Sequence, residues 1–147
     1  MQIETMNFIM LNNKIFRNTQ IHLDKVLSQY ELSSGSIPYL FILEKHAGIS
    51  QNKLSRKLGN DKAMATRTIK RLIEQGFVFK QADEQDSRAY QLFLTEKACD
   101  LLPAIHGEIL KTVNLISDGL TQAEKDVTLA AMKKILMRTQ QLRNEEE

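Results

Sequence analysis

"KLGNDKAMATRTIKRLIEQGFV", residues 57–78, is rich in lysine and arginine, yet its apolar residues recur with helical period. Projected at about 100° per residue, Ala65, Ile69, Leu72 and Ile73 fall on one stripe, which must face a core. The opposite side carries Ala63, Met64, Arg67, Lys70 and Arg71, with Lys62 and Thr66 at its flanks near the helix start. Residues 51–76 hold seven lysines and arginines (Lys53, Arg56, Lys57, Lys62, Arg67, Lys70, Arg71) against Asp61 and Glu74, a local net of +5. The whole chain is only +2, so the remainder sums to −3. A concentrated cationic element in an otherwise slightly acidic chain points to an anionic partner, with nucleic acid foremost.

The flanks of this stretch give it a setting. Upstream, Ser50 is placed to cap a short helix, "QNKLSRKL", with Leu54 and Leu58 as its apolar positions and Gly59 as its stop. Two helices separated by "GND" make a helix-turn-helix. Downstream of Gly76 the apolar period drops to about 2: "FVFKQA" and "AYQLFL" are rich in aromatic and branched residues, and Tyr90, Leu92 and Leu94 alternate onto one face. The polar "DEQDSR" between them is the tip of a two-stranded wing.

This geometry suits duplex DNA. An α-helix fits the major groove, where Arg67 can bond guanine bidentately, Met64 can touch a thymine methyl and the small Ala63 admits the backbone. Lys62, Thr66, Lys70 and Arg71 suit phosphate oxygens, which position a protein without reading sequence. The free N-terminal N–H groups near Gln51 could receive a phosphate. On the wing, Arg88 is expected in the narrow minor groove and Lys80 near the phosphates. Asp86 is placed to hold the orientation of Arg88, by accepting from its guanidinium or from the loop backbone.

The rest of the 147 residues reads as helix. Phe8, Leu11, Ile15, His22 and Val26 mark a long amphipathic helix ending near "ELSSGSIP". "IPYLFILEKH" follows, capped by Ser33 or Ser34, with Pro38 tolerated near its start, and Gly48 breaks it. Thr95 caps a helix reaching about Ser117, with Leu102, Ile105, Ile109, Val113 and Ile116 on one face and a kink expected at Pro103. "TQAE", Thr121 to Glu124, is a capping-box signature opening the last helix, marked by Val127, Ala131, Ile135 and Leu142. The final "EEE" is expected to fray. The expected fold class is mainly α with a small β-hairpin wing, a winged helix-turn-helix with terminal dimerisation helices.

Residues 50–98 together resemble the winged helix-turn-helix of MarR-type bacterial transcriptional regulators. The likeness rests on the leucine spacing of the short helix, the "DK" before the basic helix, the "RLIEQGFV" exit, the "DxxDxR" wing and the "LT" opening the next helix. It extends more loosely to the whole chain as one MarR-like domain, residues 1–147, with a DNA-binding core at 33–94 and a helical dimerisation region at 1–30 and 95–144. The resemblance implies a homodimer with intertwined terminal helices, a pseudo-palindromic operator on double-stranded DNA, and repression often released by a small-molecule effector. Two departures stand out: Ala98 replaces the usual glycine after "LTEK", and Ala63, Met64 and Ala65 stand where hydroxyl or branched residues are frequent. The bases read are therefore open.

Other functions find less support. There is no P-loop, nucleophile elbow or metal-ligand pair, so neither an enzyme nor a cofactor is expected. His22, His46 and His106 lack ligand spacing, and His22 is expected to pack in its helix stripe through a satisfied ring nitrogen. Cys99, alone and beside the stripe of its helix with Glu96 and Asp100 nearby, fits a partly buried structural thiol better than a redox sensor. No apolar run approaches the roughly 18 residues of a membrane span and no export signal is read, so the cytoplasm is expected. The terminal helices total about seventy residues, more apolar face than a small winged domain can cover, which favours an obligate two-fold dimer. The alternative is a winged helical module that binds a protein partner and leaves DNA alone.

Overall fold

The computed structural model describes residues 5–86 and 88–145. The order is α1 (Thr5–Leu27), α2 (Ile37–Lys45), α3 (Gln51–Leu58), α4 (Lys62–Glu74), β1 (Val78–Ala82), β2 (Tyr90–Leu94), α5 (Glu96–Ile116) and α6 (Gln122–Glu145). Two compact units divide it, one up to Ile109 and one from Leu110. The mainly α fold with a two-stranded wing is as the sequence predicts. Glu146 and Glu147, two of the three residues expected to fray, lie outside the described residues.

The first unit is built around a core of Leu27, Tyr39, Leu40, Leu43, Leu54, Leu72, Phe77, Leu92 and Ile105, all nearly inaccessible. α2 supplies three of these from nine residues, so it is the central helix against which the helix-turn-helix packs. Its start differs from expectation. Neither Ser33 nor Ser34 caps it: a 3-10 turn over Ser34–Ser36 winds directly into the helix, and Ser36 precedes it in αR geometry with no side-chain cap. The first amides are already bonded to backbone carbonyls, Ser36 N to Ser33 O and Ile37 N to Ser34 O, so no hydroxyl is needed there.

α3 and α4 follow their local signals. Ser50 Oγ accepts from Lys53 N at 3.2 Å and Asp61 Oδ1 accepts from Met64 N at 2.7 Å, each satisfying an orphan amide of its helix. Gly59, at φ +68°, closes α3 with the paired bonds Gly59 N to Arg56 O and Asn60 N to Ser55 O, a left-handed position that glycine fills without strain. Asn60 is further fixed: its carbonyl accepts from Ser55 Oγ and its amide donates to the buried Tyr39 hydroxyl, both at 2.8 Å.

The wing pairs β1 and β2 in antiparallel register, Val78 with Leu94, Lys80 with Leu92 and Ala82 with Tyr90. Its seating on the unit carries no signal in the sequence. Gly48 N donates to Leu92 O and Leu92 N donates to Ile49 O, so the segment after α2 runs along β2 like a short third strand. Phe93 stacks with Phe79 on the other face of the wing and closes over Gly48. Thr95 caps α5 as expected, accepting from Ala98 N.

α1 departs from a packed amphipathic helix. The expected stripe is half-buried at His22 and Val26 but open at Phe8, Leu11 and Ile15, and the fully buried residue is Leu27. α5 shows the same change along its length, from buried Leu102 and Ile105 to exposed Val113 and Ile116. Cys99 is exposed, not partly buried, because the packed stripe runs through Ala98 and Leu102 and a one-residue step turns the thiol about 100° away.

In the second unit Thr121 and Glu124 form the expected capping box, Glu124 N to Thr121 Oγ1 at 3.2 Å and Thr121 N to Glu124 Oε1 at 3.1 Å. α6 exposes Val127, Met132, Leu136 and Met137. Among the described residues no helix is long and apolar enough to cross a membrane.

Candidate nucleic-acid interface

The faces of α4 fall where the sequence puts them. Ala65, Ile69 and Leu72 are buried and Ile73 half-buried, while Lys62, Ala63, Met64, Thr66, Arg67, Lys70 and Arg71 are exposed. No ion pair engages these four cations among the described residues, so their charge is directed outward. Apolar exposure on this surface is confined to Ala63 and Met64 near the helix start. The surface is one of exposed cations around a small apolar spot, a character that suits a DNA groove.

Gln51 and Thr66 turn out to be partners. Gln51 Nε2 donates to Thr66 Oγ1 at 2.9 Å, and that hydroxyl donates to Lys62 O at 2.8 Å. The two residues expected to touch phosphate independently therefore brace α3 against α4. Thr66 has its proton committed within its own helix. Gln51 keeps its main-chain N–H at the first position of α3, where Ser50 takes up only the amide of Lys53.

Wing and α3 meet in a cleft of about 370 Å³ lined by Ser50, Gln51, Asn52, Lys80, Asp86, Arg88, Ala89, Tyr90 and Leu92. Both expected wing cations are thus brought together with the start of α3. Asp86 orients Arg88 through the backbone: its Oδ1 accepts from Arg88 N at 3.0 Å, while Ala89 N donates to Asp86 O. The carboxylate shapes the loop and leaves the guanidinium available. Lys80 Nζ sits 4.7 Å from the centre of the Tyr90 ring, a cation–π contact that holds the ammonium along the wing.

Asn52, Ala89 and Tyr90 join the cleft with no site signal of their own in the sequence. Tyr90 was legible only as one of an alternating apolar set, yet it is exposed at the strand end, where the wing projects beyond the core. Another grouping lies on α2 and α5: His106 Nε2 is 2.8 Å from Glu44 Oε2, and its ring stacks on Phe41 at 4.3 Å. No spacing signal joins residues 62 positions apart. Among the described residues no group of three His, Cys, Asp or Glu side chains is placed to hold a metal ion.

Comparison with known proteins bears on this geometry. The MarR family model matches residues 32–90, from the entry to α2 as far as the first residue of β2. The HTH-type transcriptional regulator BilQ of Clostridioides difficile is 33% identical over 124 residues, covering 84% of this chain and 82% of that protein. The chain belongs to the MarR family of transcriptional regulators. Among solved MarR structures, a MarR protein from Peptoclostridium difficile has a TM-score of 0.91 at 26% identity and covers 100% of this chain and 97% of its own. A MarR family regulator from Listeria monocytogenes, solved in complex with 26mer DNA, has a TM-score of 0.81 at 29% identity, covering 88% of this chain and 87% of its own. The curated relatives of this MarR chain are transcriptional regulators and not enzymes.

Proposed function

We propose that this MarR-family regulator binds a pseudo-palindromic DNA operator as a homodimer, in the cytoplasm, and represses transcription until a small-molecule effector releases it. The observation that carries the reading is the outward cationic face of α4 beside a wing cleft holding Lys80 and Arg88. α4 enters the major groove, with Arg67 reading a base and Met64 and Ala63 against the groove floor. Lys62, Lys70 and Arg71 hold phosphates, the main chain at Gln51 receives another, and Thr66 serves as the brace that Gln51 grips. Arg88 enters the flanking minor groove and Lys80 tracks the backbone. Residues 33–94 are the reading core, and residues 1–30 and 95–144 the dimerisation region.

Exposed apolar residues support the dimer. Phe16 is 68% exposed, Val127 69%, Leu136 56% and Met137 61%, on helices where such residues recur every three or four positions. So much uncovered apolar surface is unusual for a chain that stays alone in water. Two-fold pairing sets the recognition helices about 34–36 Å apart, one helical turn of DNA. An effector acts by binding one separation of those helices better than the other.

Binding of Arg67→Ala and Lys70→Ala to a duplex panel tests the assignment. A base reader should lose about 1–3 kcal/mol and its preference at one position, whereas a phosphate contact should lose affinity evenly and lower the salt slope by about 1. Wild-type affinity in both variants on every duplex would refute it.

A further inference from the structure

We infer that Lys97 and Gln75 are positioning residues, a clamp that sets the angle of α4 from its C-terminal end. The inference rests on the reading that α4 meets DNA. α4 closes through Phe77 N to Leu72 O at 2.9 Å and Gly76 N to Ile73 O at 3.0 Å, with Gly76 at φ +80°. This motif leaves the carbonyls of residues 75, 76 and 77 directed away from the helix, and the entry to α5 takes all three. Lys97 Nζ donates to Gln75 O at 2.8 Å, Thr95 Oγ1 to Gly76 O at 2.6 Å and Thr95 N to Phe77 O at 3.0 Å.

Lys97 is more than a hydrogen-bond donor. Its ammonium sits 4.4 Å from the centre of the Phe77 ring and at the negative end of the α4 dipole, so a cation there is favoured twice. On the other side, Gln75 Nε2 donates to Glu31 O at 2.6 Å, in the left-handed residue that ends the turn after α1. Gln75 Oε1 is buried with no partner among the described residues, so the bond to Glu31 is what offsets burying that amide. The residue that caps the C-terminal end of α4 is thus tied to two of the helices whose apolar faces stand open, to α1 through Glu31 in the turn that follows it and to α5 through Lys97.

Position is what such a clamp controls. At 1.5 Å per residue Arg67 lies about 12 Å from Gln75, so a tilt of about 10° about the clamped end moves it by about 2 Å. That displacement exceeds the tolerance of a bidentate hydrogen bond.

The test uses the full-length protein with Lys97→Met, which keeps the stem over Phe77 but removes the ammonium, alongside Lys97→Arg and Gln75→Met. Three quantities are read: affinity for a preferred duplex at two salt concentrations, discrimination against a scrambled duplex, and amide exchange at Gly76 and Phe77 in the free protein. Lys97→Met and Gln75→Met should each weaken specific binding by roughly five- to tenfold with the salt slope unchanged, because neither residue touches phosphate. Exchange should quicken at residues 76–77, and Lys97→Arg should recover most of the loss. Unchanged affinity and exchange would overturn the clamp, as would a salt slope lowered by about 1 in Lys97→Met, the mark of a direct phosphate contact. Should the wild type itself show no preferred duplex, the reading of α4 fails, and unaltered exchange in Lys97→Met still overturns the clamp independently. Lys97→Arg and Gln75→Met carry the test if Lys97→Met does not fold.

Discussion

The side-chain amide of Asn60 donates to the hydroxyl of Tyr39 at 2.8 Å, fastening the turn between α3 and α4 to the helix beneath it. Tyr39 is 1% exposed, so its hydroxyl has no water to exchange for this partner. Tyr39→Phe removes one oxygen and leaves the half-buried Asn60 amide short of an acceptor, which should cost about 1–2 kcal/mol. Urea unfolding should show a lower midpoint at unchanged slope.

The start of α4 depends on one carboxylate. Asp61 Oδ1 accepts from Met64 N at 2.7 Å, and Asp61→Ala strands that amide. A loss of about 1 kcal/mol is expected, with Asp61→Asn close to wild type because an amide oxygen caps as well. Equal losses in the two variants would show that charge, and not the cap bond, is what matters.

Glu31 is the one non-glycine residue at positive φ among the described residues, at +59°. Its side chain is exposed, and its backbone makes the contacts, donating to Ser28 O and accepting from Gln75. Glu31→Gly should therefore raise stability by about 0.5–1 kcal/mol, relief of left-handed strain outweighing the added unfolded-state freedom. Thermal unfolding reads the sign.

The open apolar faces predict an assembly. Placing charges on both, with Phe16→Glu and Leu136→Glu together, should convert the dimer to single chains in sedimentation equilibrium. Specific DNA affinity should fall by at least about a hundredfold, because the two half-sites are no longer bound as one event. A single-chain mass for the wild type at micromolar concentration would contradict the dimer.

What the sequence made legible was local. Ser50, Gly59, Thr95 and the Thr121–Glu124 box act on backbone groups within three or four residues, so their chemistry shows in the string itself. The α4 stripe was legible for the same reason, since a helix converts spacing into facing. Ser33 and Ser34 misled because a 3-10 turn and an N-cap draw on the same residues, and only the backbone path separates them. Cys99 misled by a single step around its helix. The pairs Tyr39 with Asn60, Gln51 with Thr66 and Glu44 with His106 stayed hidden, because each joins elements whose packing no periodicity encodes. The open faces of α1 and α6 were readable as apolar, but a single chain does not say what covers them.

Operator recognition by a dimer is tested by selection of duplexes from a randomised pool by the purified protein, followed by binding of the winner and a scrambled control at 50 and 200 mM salt, concentrations chosen to span about the range where counterion release is steep. The expected result is enrichment of a two-fold symmetric sequence with half-sites about one helical turn apart, bound roughly a thousandfold more tightly than the control and weakening steeply with salt. A pool that yields no symmetric sequence, with equal and salt-indifferent binding to both duplexes, would contradict it.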